Sequence, residues 1–369
     1  MKICLYNVTT TYVYGGLETY CIEIGKALVR RGHKVAIVAG LSASCTFREP
    51  SLEVRQFPFK PRAGFPDFGT RFRKLMERLS FGRHAWRHLL EADYDAIVVV
   101  KPFDFPVLWW AKRRGLRAQV VFHSGGTDFF AGDRLFASAV DHWAACSRYT
   151  ARQVAERYRR EVQTITNGVD TQLFAPGKRD SSFRAQWKIP ADAPLIMSVG
   201  RLVGLKGLRV ILEAMSTLPQ THYAIVGQGE ERPRLEALAK RLGLSERVHF
   251  LGGIAHERLP VVLREADVFV QPTIGEEAFG ITVVEAMAVG LAVAASRNGG
   301  MCEIIDDGLN GVLLPSGDVP AWREAMDSLL QHRDRCRELG INARAHTEKN
   351  FTWEAKSEQL ERLLQGNPP

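Results

Sequence analysis

The sequence predicts an α/β protein made of two doubly wound domains. Three observations predict this. Short apolar runs of strand length alternate with helical stretches, and the alternation stalls near Phe174-Ala175-Pro176-Gly177 before it restarts. A chain of 369 residues is also about twice the usual domain size.

The first series opens with Lys2–Val8, an apolar run followed by Gly15-Gly16. Leu17, Tyr20, Cys21, Ile24 and Leu28 then recur at helical spacing, and Gly32 stands where a left-handed helix cap is wanted. Further strands are expected at Lys34–Ala39, Asp95–Val100, Ala118–Phe122 and Trp143–Cys146. The second series is expected at Pro194–Val199, Thr221–Val226, Arg247–Leu251, Asp267–Gln271 and Leu291–Ala295, with helices between them. The resulting domains are residues 1–177 and 178–349, with residues 350–369 as a final helix that crosses back to the first domain. Ligands of such sheets bind at the carboxyl ends of the strands, so a cleft between two facing domains is the expected site.

Hydrophobic residues make up 46% and charged residues 24%, which excludes a largely disordered chain. Cys4, Cys21, Cys45, Cys146, Cys302 and Cys336 are scattered without metal-ligand spacing and are expected to be small buried residues of a reducing compartment. The uncharged run Ala286–Ala295 is roughly half a bilayer span, and Met1–Val8 reads as a strand and not a leader. A cytoplasmic protein is expected.

Residues 200–207, Gly-Arg-Leu-Val-Gly-Leu-Lys-Gly, place Arg201 and Lys206 between a strand and a helix. A guanidinium fork, an ammonium and unpaired helix amides suit a diphosphate; the same charges also fit a merely solvated loop. Glu285 lies within an apolar run at a helix start, with Glu277 eight residues earlier. About 12 Å of helix separates such a pair, too far to flank one bond but suited to two parts of an extended ligand. A pair complementing the helix dipole is the alternative.

The E-x7-E spacing of Glu277 and Glu285, together with Gly200-Arg201, Lys206-Gly207 and Asn167-Gly168-Val169-Asp170, resembles glycosyltransferase family 4. The resemblance runs from Gly15-Gly16-Leu17-Glu18 and Arg31-Gly32-His33 to Gly299-Gly300 and Glu303, and is similar to bacterial lipopolysaccharide-core and cell-surface glycan enzymes. It implies the GT-B architecture of two Rossmann-like domains and retaining hexosyl transfer from a nucleoside-diphosphate sugar, most simply a UDP-sugar. Arg201 and Lys206 would then grip the diphosphate, Glu285 the ribose and Glu277 the sugar hydroxyls. Ala278, Phe279, Gly280 and Ile281 would hold sugar and phosphates through their backbone. Gly15, Gly16, Gly200, Gly227, Gly253 and Ile254 complete the implied donor-binding set. His123 matches an active-site histidine that contacts the donor sugar. Domain closure would bring Gly16 and His123 to the phosphate grip. No cofactor or metal is expected, the charge of the leaving group being met by Arg201, Lys206 and helix N-termini. The sequence departs from the family at Gly204-Leu205, where Pro-Glu is common, and at Cys302, which replaces a common proline.

Three alternatives remain open. Gly227-Gln228-Gly229 follows a strand, as in a dehydrogenase, but Arg232 occupies the place of the third glycine. A nucleotide-sugar epimerase would share the fold, and a non-catalytic carbohydrate or nucleic-acid binder would share the basic first half. No nucleic-acid fold signature is present, and nucleic acid is not an expected partner. His84 and His88 have a metal-ligand spacing but read as surface residues among arginines.

Residues 1–177 carry a net charge of +10 and residues 178–369 a net −2, and residues 55–88 alone carry +7 with seven aromatics. Phe72, Leu75, Met76, Leu79, Trp86, Leu89 and Leu90 form a helical stripe, which alone would read as core. Beside it, Lys60, Arg62, Arg71, Arg73, Lys74 and Arg78 are expected to face an anionic membrane surface. The expected acceptor is therefore a lipid-linked glycan or an anionic glycolipid, met at the inner face of the cytoplasmic membrane.

Overall fold

The computed structural model describes residues 1–13, 15–42 and 49–366, so Cys45 lies outside the described residues. The chain divides into two compact units, Met1–Gly168 with Trp353–Pro369, and Val169–Thr352.

In the first unit β1 (Lys2–Tyr6), β2 (Lys34–Gly40), β3 (Glu53–Phe57), β4 (Ala96–Val99), β5 (Gln119–Ser124), β6 (His142–Ala145) and β7 (Gln163–Thr164) form one parallel sheet in the order 3-2-1-4-5-6-7. The helices α1 (Gly16–Arg30), α2 (Thr70–Glu91), α3 (Phe105–Arg113) and α4 (Arg148–Tyr158) connect them. Alternate strand residues point to opposite faces. Ile3, Leu5, Val35 and Ile37 thus pack with Tyr20, Ile24 and Leu28 of α1, while Cys4, Tyr6, Ala36 and Val38 pack with Phe81, Ala85 and Leu89 of α2. The last helix, Trp353–Leu364, covers the α1 face with Trp353, Leu360 and Leu363. Arg30 and Arg31 anchor it through Glu354 at 2.6 Å and Glu361 at 2.5 Å.

The second unit has β8 (Leu195–Val199), β9 (His222–Val226), β10 (Val248–Gly252), β11 (Val268–Gln271), β12 (Ala292–Ser296) and β13 (Val312–Leu314), again all parallel, in the order 10-9-8-11-12-13. Both sheets reverse direction beside their first strand, the point at which doubly wound folds bind ligands.

Three strands, β3, β7 and β13, are absent from the sequence-based reading. β3 is a sheet-edge strand, Glu-Val-Arg-Gln-Phe, with no buried residue, and β7 and β13 are two and three residues long. Such edges need little apolar periodicity. The division between units falls after Gly168, and not after 177. Val169 N–H donates to Phe351 O at 2.7 Å, and Arg344 donates to the carbonyls of Phe174 and Thr171, so this stretch packs with the second unit. Cys4, Cys21 and Cys146 are buried, but Cys302 is exposed at a helix start and Cys336 is only half-buried, contrary to the expectation for both.

The face that α2 buries also differs. Glu77, Arg78, Phe81, Gly82, Ala85 and Leu89 are buried, whereas Phe72, Leu75, Met76, Leu79, Trp86 and Leu90 are only half-buried. Gly82 sets the rotation of the helix: a Cβ there would lie 2.2 Å from a methyl carbon of Val107 on α3.

Candidate active site

In the second unit, β8 ends at Val199 and is followed by Gly200, with φ +154, and the exposed Arg201. A tight turn over Gly204–Lys206 leads to Gly207, with φ +65, and then to the helix Leu208–Met215. Only glycine fits at 207, because a Cβ there would lie 2.0 Å from Pro272 O. Gly227 ends the neighbouring β9 under the same constraint, its Cβ position lying 1.9 Å from Gly200 O. Leu205 O accepts the N–H groups of Ile274 and Gly275 at 2.9 and 3.1 Å, tying this loop to the one that follows β11.

That second loop carries Glu277. Its Oε2 bonds to Lys206 Nζ and accepts from Thr273 Oγ1 at 3.3 Å and Gln271 Nε2 at 3.4 Å. The loop is pressed onto Gly299-Gly300: Gly300 N–H donates to Glu277 O at 2.8 Å, and added Cβ atoms would strike the Glu277 and Ala278 carbonyls. Asn298 Nδ2 reinforces this by donating to Thr273 O and Gly275 O at 2.8 and 3.0 Å. Gly280, with φ +108, then starts the helix Ile281–Ala288. Phe279 is buried, and Ala278 is half-buried beside it.

Glu285 is 3% exposed on this helix, and His256 Nε2 lies 2.7 Å from its Oε1, donating to the carboxylate. His256 follows β10 and Gly253-Ile254 and packs its ring against Phe174 at 5.1 Å. Lys206 and Glu277 therefore meet, while Glu285 is held separately by a histidine that no spacing rule singles out. Gln271, Thr273 and Asn298 were likewise illegible, because their roles rest on contacts between loops distant in sequence. A cavity beneath Gly200, Arg201 and Lys206 has a volume of only about 10 Å³. That space is too small for a diphosphate, and the exposed Arg201 forms no ion pair among the described residues.

In the first unit, Gly15 and Gly16 open α1. A Cβ on Gly15 would lie 2.8 Å from Oε2 of the buried Glu18, which Thr9 Oγ1 holds by its other oxygen at 2.5 Å. His123, near the carboxyl end of β5, is fully buried and stacks on Tyr20 with ring centroids 4.1 Å apart. Its Nε2–H donates to Ile165 O at 2.7 Å, and its Nδ1 has no hydrogen-bond partner among the described residues. Burial lowers its pKa to about 4, so the ring is neutral at pH 7 and Nδ1 is a lone-pair acceptor.

Of the expected membrane-facing cations, Arg78 is not one. It is buried, bonds to the fully buried Asp104 and donates to Asn7 Oδ1 at 2.9 Å, because it lies on the core face of α2. Lys74 and Lys101 share Asp128 at 2.6 and 3.3 Å, Arg73 pairs with Asp67 at 3.2 Å, and Arg62 lies 3.7 Å from Glu77. Lys60 sits over the Phe65 ring, and Arg71 is exposed without an ion pair among the described residues. His84 is exposed while His88 Nε2 is engaged by the Tyr94 hydroxyl at 2.9 Å, so the two do not act as a pair. Asp93 and Asp95 have an Asp-x-Asp spacing that can hold a divalent metal, but they lie before β4, where Asp95 Oδ2 accepts the Lys2 N–H at 2.6 Å, at the opposite end of the sheet from His123. No described helix is long and apolar enough to cross a membrane.

The family description "Glycosyl transferases group 1" matches residues 180–346, and "Glycosyltransferase Family 4" matches residues 14–173. The D-inositol 3-phosphate glycosyltransferase of Xylanimonas cellulosilytica is 28% identical over 92% of this chain and 89% of its own length. The phosphatidyl-myo-inositol mannosyltransferase of Mycobacterium leprae is 26% identical over 98% of this chain and 95% of its own. The structure of Anabaena HepE with UDP-glucose superposes with a TM-score of 0.84 at 23% identity, covering 99% of this chain and all of that one. With two Rossmann-like domains, the E-x7-E pair and both halves matched, the chain is a hexosyltransferase belonging to glycosyltransferase family 4, with the GT-B fold.

Proposed function

We propose that the protein moves a hexose or N-acetylhexosamine from a UDP-sugar to a lipid-linked or lipopolysaccharide-type glycan, with retention of configuration. The observation that carries the donor side is the meeting of Lys206 with Glu277 beside Arg201, which has no ion pair among the described residues, at the carboxyl end of β8. Arg201 and Lys206 bind the diphosphate, the amides at the start of the helix Ile281–Ala288 assist, and Glu277, released from Lys206, accepts from the sugar hydroxyls. Glu285 accepts from the ribose. In the first unit the Gly16 amide is assigned to the diphosphate, and His123 Nδ1 to a sugar hydroxyl only in a conformation that uncovers the ring, which is 1% exposed here. The bond from the anomeric carbon to the diphosphate oxygen breaks as the acceptor oxygen bonds to that carbon from the same face. The acceptor proton passes to the departing phosphate, so no side chain need act as base.

Release of UDP or GDP from UDP-glucose, UDP-galactose, UDP-N-acetylglucosamine and GDP-mannose, with EDTA present and candidate acceptors added, tests this reading. Turnover of a UDP-sugar is expected. Turnover of GDP-mannose alone would overturn the donor assignment, and consumption of the donor without any acceptor would favour an epimerase.

The acceptor side rests on α2 and the segment before it, which carry the half-buried Phe72, Leu75, Met76 and Leu79, the exposed Lys60 and Arg71, and Arg62, Arg73 and Lys74, whose pairing with Glu77, Asp67 and Asp128 a membrane would have to compete with. Such a surface gains about 1 kcal/mol per well-placed cation at an anionic leaflet. We therefore place the enzyme peripherally on the inner face of the cytoplasmic membrane. The acceptors in the relatives' names, inositol 3-phosphate and phosphatidylinositol, define a second class to try beside lipopolysaccharide-type glycans.

A further inference from the structure

We propose that the first unit carries a second anion site, for a phosphate-bearing ligand, away from the nucleotide-sugar residues. A concavity of about 460 Å³ lies between the 3-10 segment Asp133–Ala139 and the end of α4. This is within the range of small-molecule sites. Four arginines line it, Arg134, Arg157, Arg159 and Arg160, together with Ser138, and no Asp or Glu is among the lining residues.

The four arginines differ in what holds them. Arg157 is anchored: it donates to Asp133 Oδ1 at 2.7 Å and to Phe130 O at 2.8 Å, and the buried Asp133 also accepts from the Tyr158 hydroxyl at 2.9 Å. Asp133 therefore neutralises Arg157 and fixes its position. Arg134, Arg159 and Arg160 are exposed and have no ion pair among the described residues. Three uncompensated cations around one hollow repel each other, and a dianion or trianion placed among them relieves that repulsion. Each also offers a planar fork of N–H donors that matches phosphate oxygens.

Arg159 adds a second, independent sign. It caps α4 in the left-handed conformation, φ 54, where glycine is favoured. A side chain there costs about 1 kcal/mol relative to glycine, and Arg159 forms no ion pair among the described residues that would offset this. The location separates this hollow from the donor residues. Tyr158 packs on Trp143, the second residue of β6, at 4.7 Å, which sets the hollow towards the amino-terminal edge of the sheet. His123 stands near the carboxyl-terminal edge of β5. Leu135, 75% exposed on the rim, adds an apolar contact for the remainder of the ligand.

Two sources supply this chemistry, a soluble phosphorylated compound and a phospholipid headgroup. The test uses the full chain with Arg201→Ala and Lys206→Ala, so that the donor grip is silent. Calorimetric titration with pyrophosphate is expected to show one binding event. Adding Arg134→Ala with Arg159→Gly should weaken it by at least about tenfold. Both residues are exposed, and glycine relieves the strained cap, so the thermal midpoint should not fall. Sedimentation with phosphatidylglycerol or phosphatidylcholine vesicles, in a chain with Arg71→Glu and Lys74→Glu to silence α2, separates the sources. Retention on phosphatidylglycerol that depends on Arg134 and Arg159 assigns a lipid headgroup. Pyrophosphate binding without it assigns a soluble ligand. No binding of pyrophosphate, or binding indifferent to Arg134 and Arg159, overturns the site.

Discussion

His256 Nε2 stands 2.7 Å from Oε1 of Glu285, so the buried carboxylate of the E-x7-E pair is oriented by a residue from another strand end. A carboxylate at 3% exposure needs such a partner, since burying it unpaired is costly. If Glu285 holds the ribose, His256 acts as a positioning residue. His256→Ala is expected to raise the KM for the nucleotide sugar about tenfold with a smaller change in kcat, and His256→Gln, which keeps a donor, to restore much of it. Steady-state kinetics over both parameters decides this; an unchanged KM for both variants would falsify the role.

Lys206 and Glu277 are bonded to each other, and substitution should separate their duties. Lys206→Ala is expected to lower kcat by about a hundredfold or more, because it removes a preorganised cation from the departing diphosphate. Glu277→Gln frees Lys206, so affinity for UDP alone should hold or rise while affinity for the UDP-sugar falls. Parallel titrations with UDP and the UDP-sugar measure this difference, and equal losses for both ligands would contradict the assignment.

Arg78 and Arg71 lie seven residues apart on α2 and should behave oppositely. Arg78→Met leaves Asp104 buried without its guanidinium partner and is expected to cost about 3–5 kcal/mol in denaturant unfolding. Arg71→Glu is expected to change stability by less than about 0.5 kcal/mol but to reduce retention on anionic vesicles. Retention that survived Arg71→Glu and Lys74→Glu together would remove α2 as the membrane surface.

His123 makes the first unit sensitive to acid. Its folded pKa, about 4, lies below the ordinary value of 6.5 because burial disfavours the imidazolium. Stability from this group is therefore complete above about pH 6.5 and is lost as the pH falls through the folded value, by up to about 3 kcal/mol. Asp104 opposes it in part. Burial raises its pKa from 3.8 to about 6, so its contribution is present at low pH and declines as the pH rises through that value. His123→Asn should flatten the fall in thermal midpoint between pH 6.5 and 4. A variant as acid-sensitive as the parent would show that another group is responsible.

The sequence by itself determined the two alternating series, most of their central strands, and the positions of Arg201, Lys206, Glu277 and Glu285 in relation to strand ends and helix starts. Central strands of a parallel sheet are buried on both faces and so read as apolar runs. Short turns join each strand to its helix, so the residues that follow a strand can be placed without knowing the packing. Only the tertiary structure decided which side chains meet. Arg78 belongs to an arginine-rich segment and reads as a surface cation until the rotation of α2, set by Gly82 against Val107, turns it onto Asp104. His256 becomes a partner of Glu285 only when the end of β10 comes beside the helix Ile281–Ala288, 29 residues away in sequence. The unit boundary follows the same logic, since Val169 is claimed by Phe351 and Phe174 by Arg344 through bonds spanning about half the chain. Strand periodicity is a local property of a few residues, whereas the partner of a buried charge depends on how whole elements pack, which no local pattern encodes.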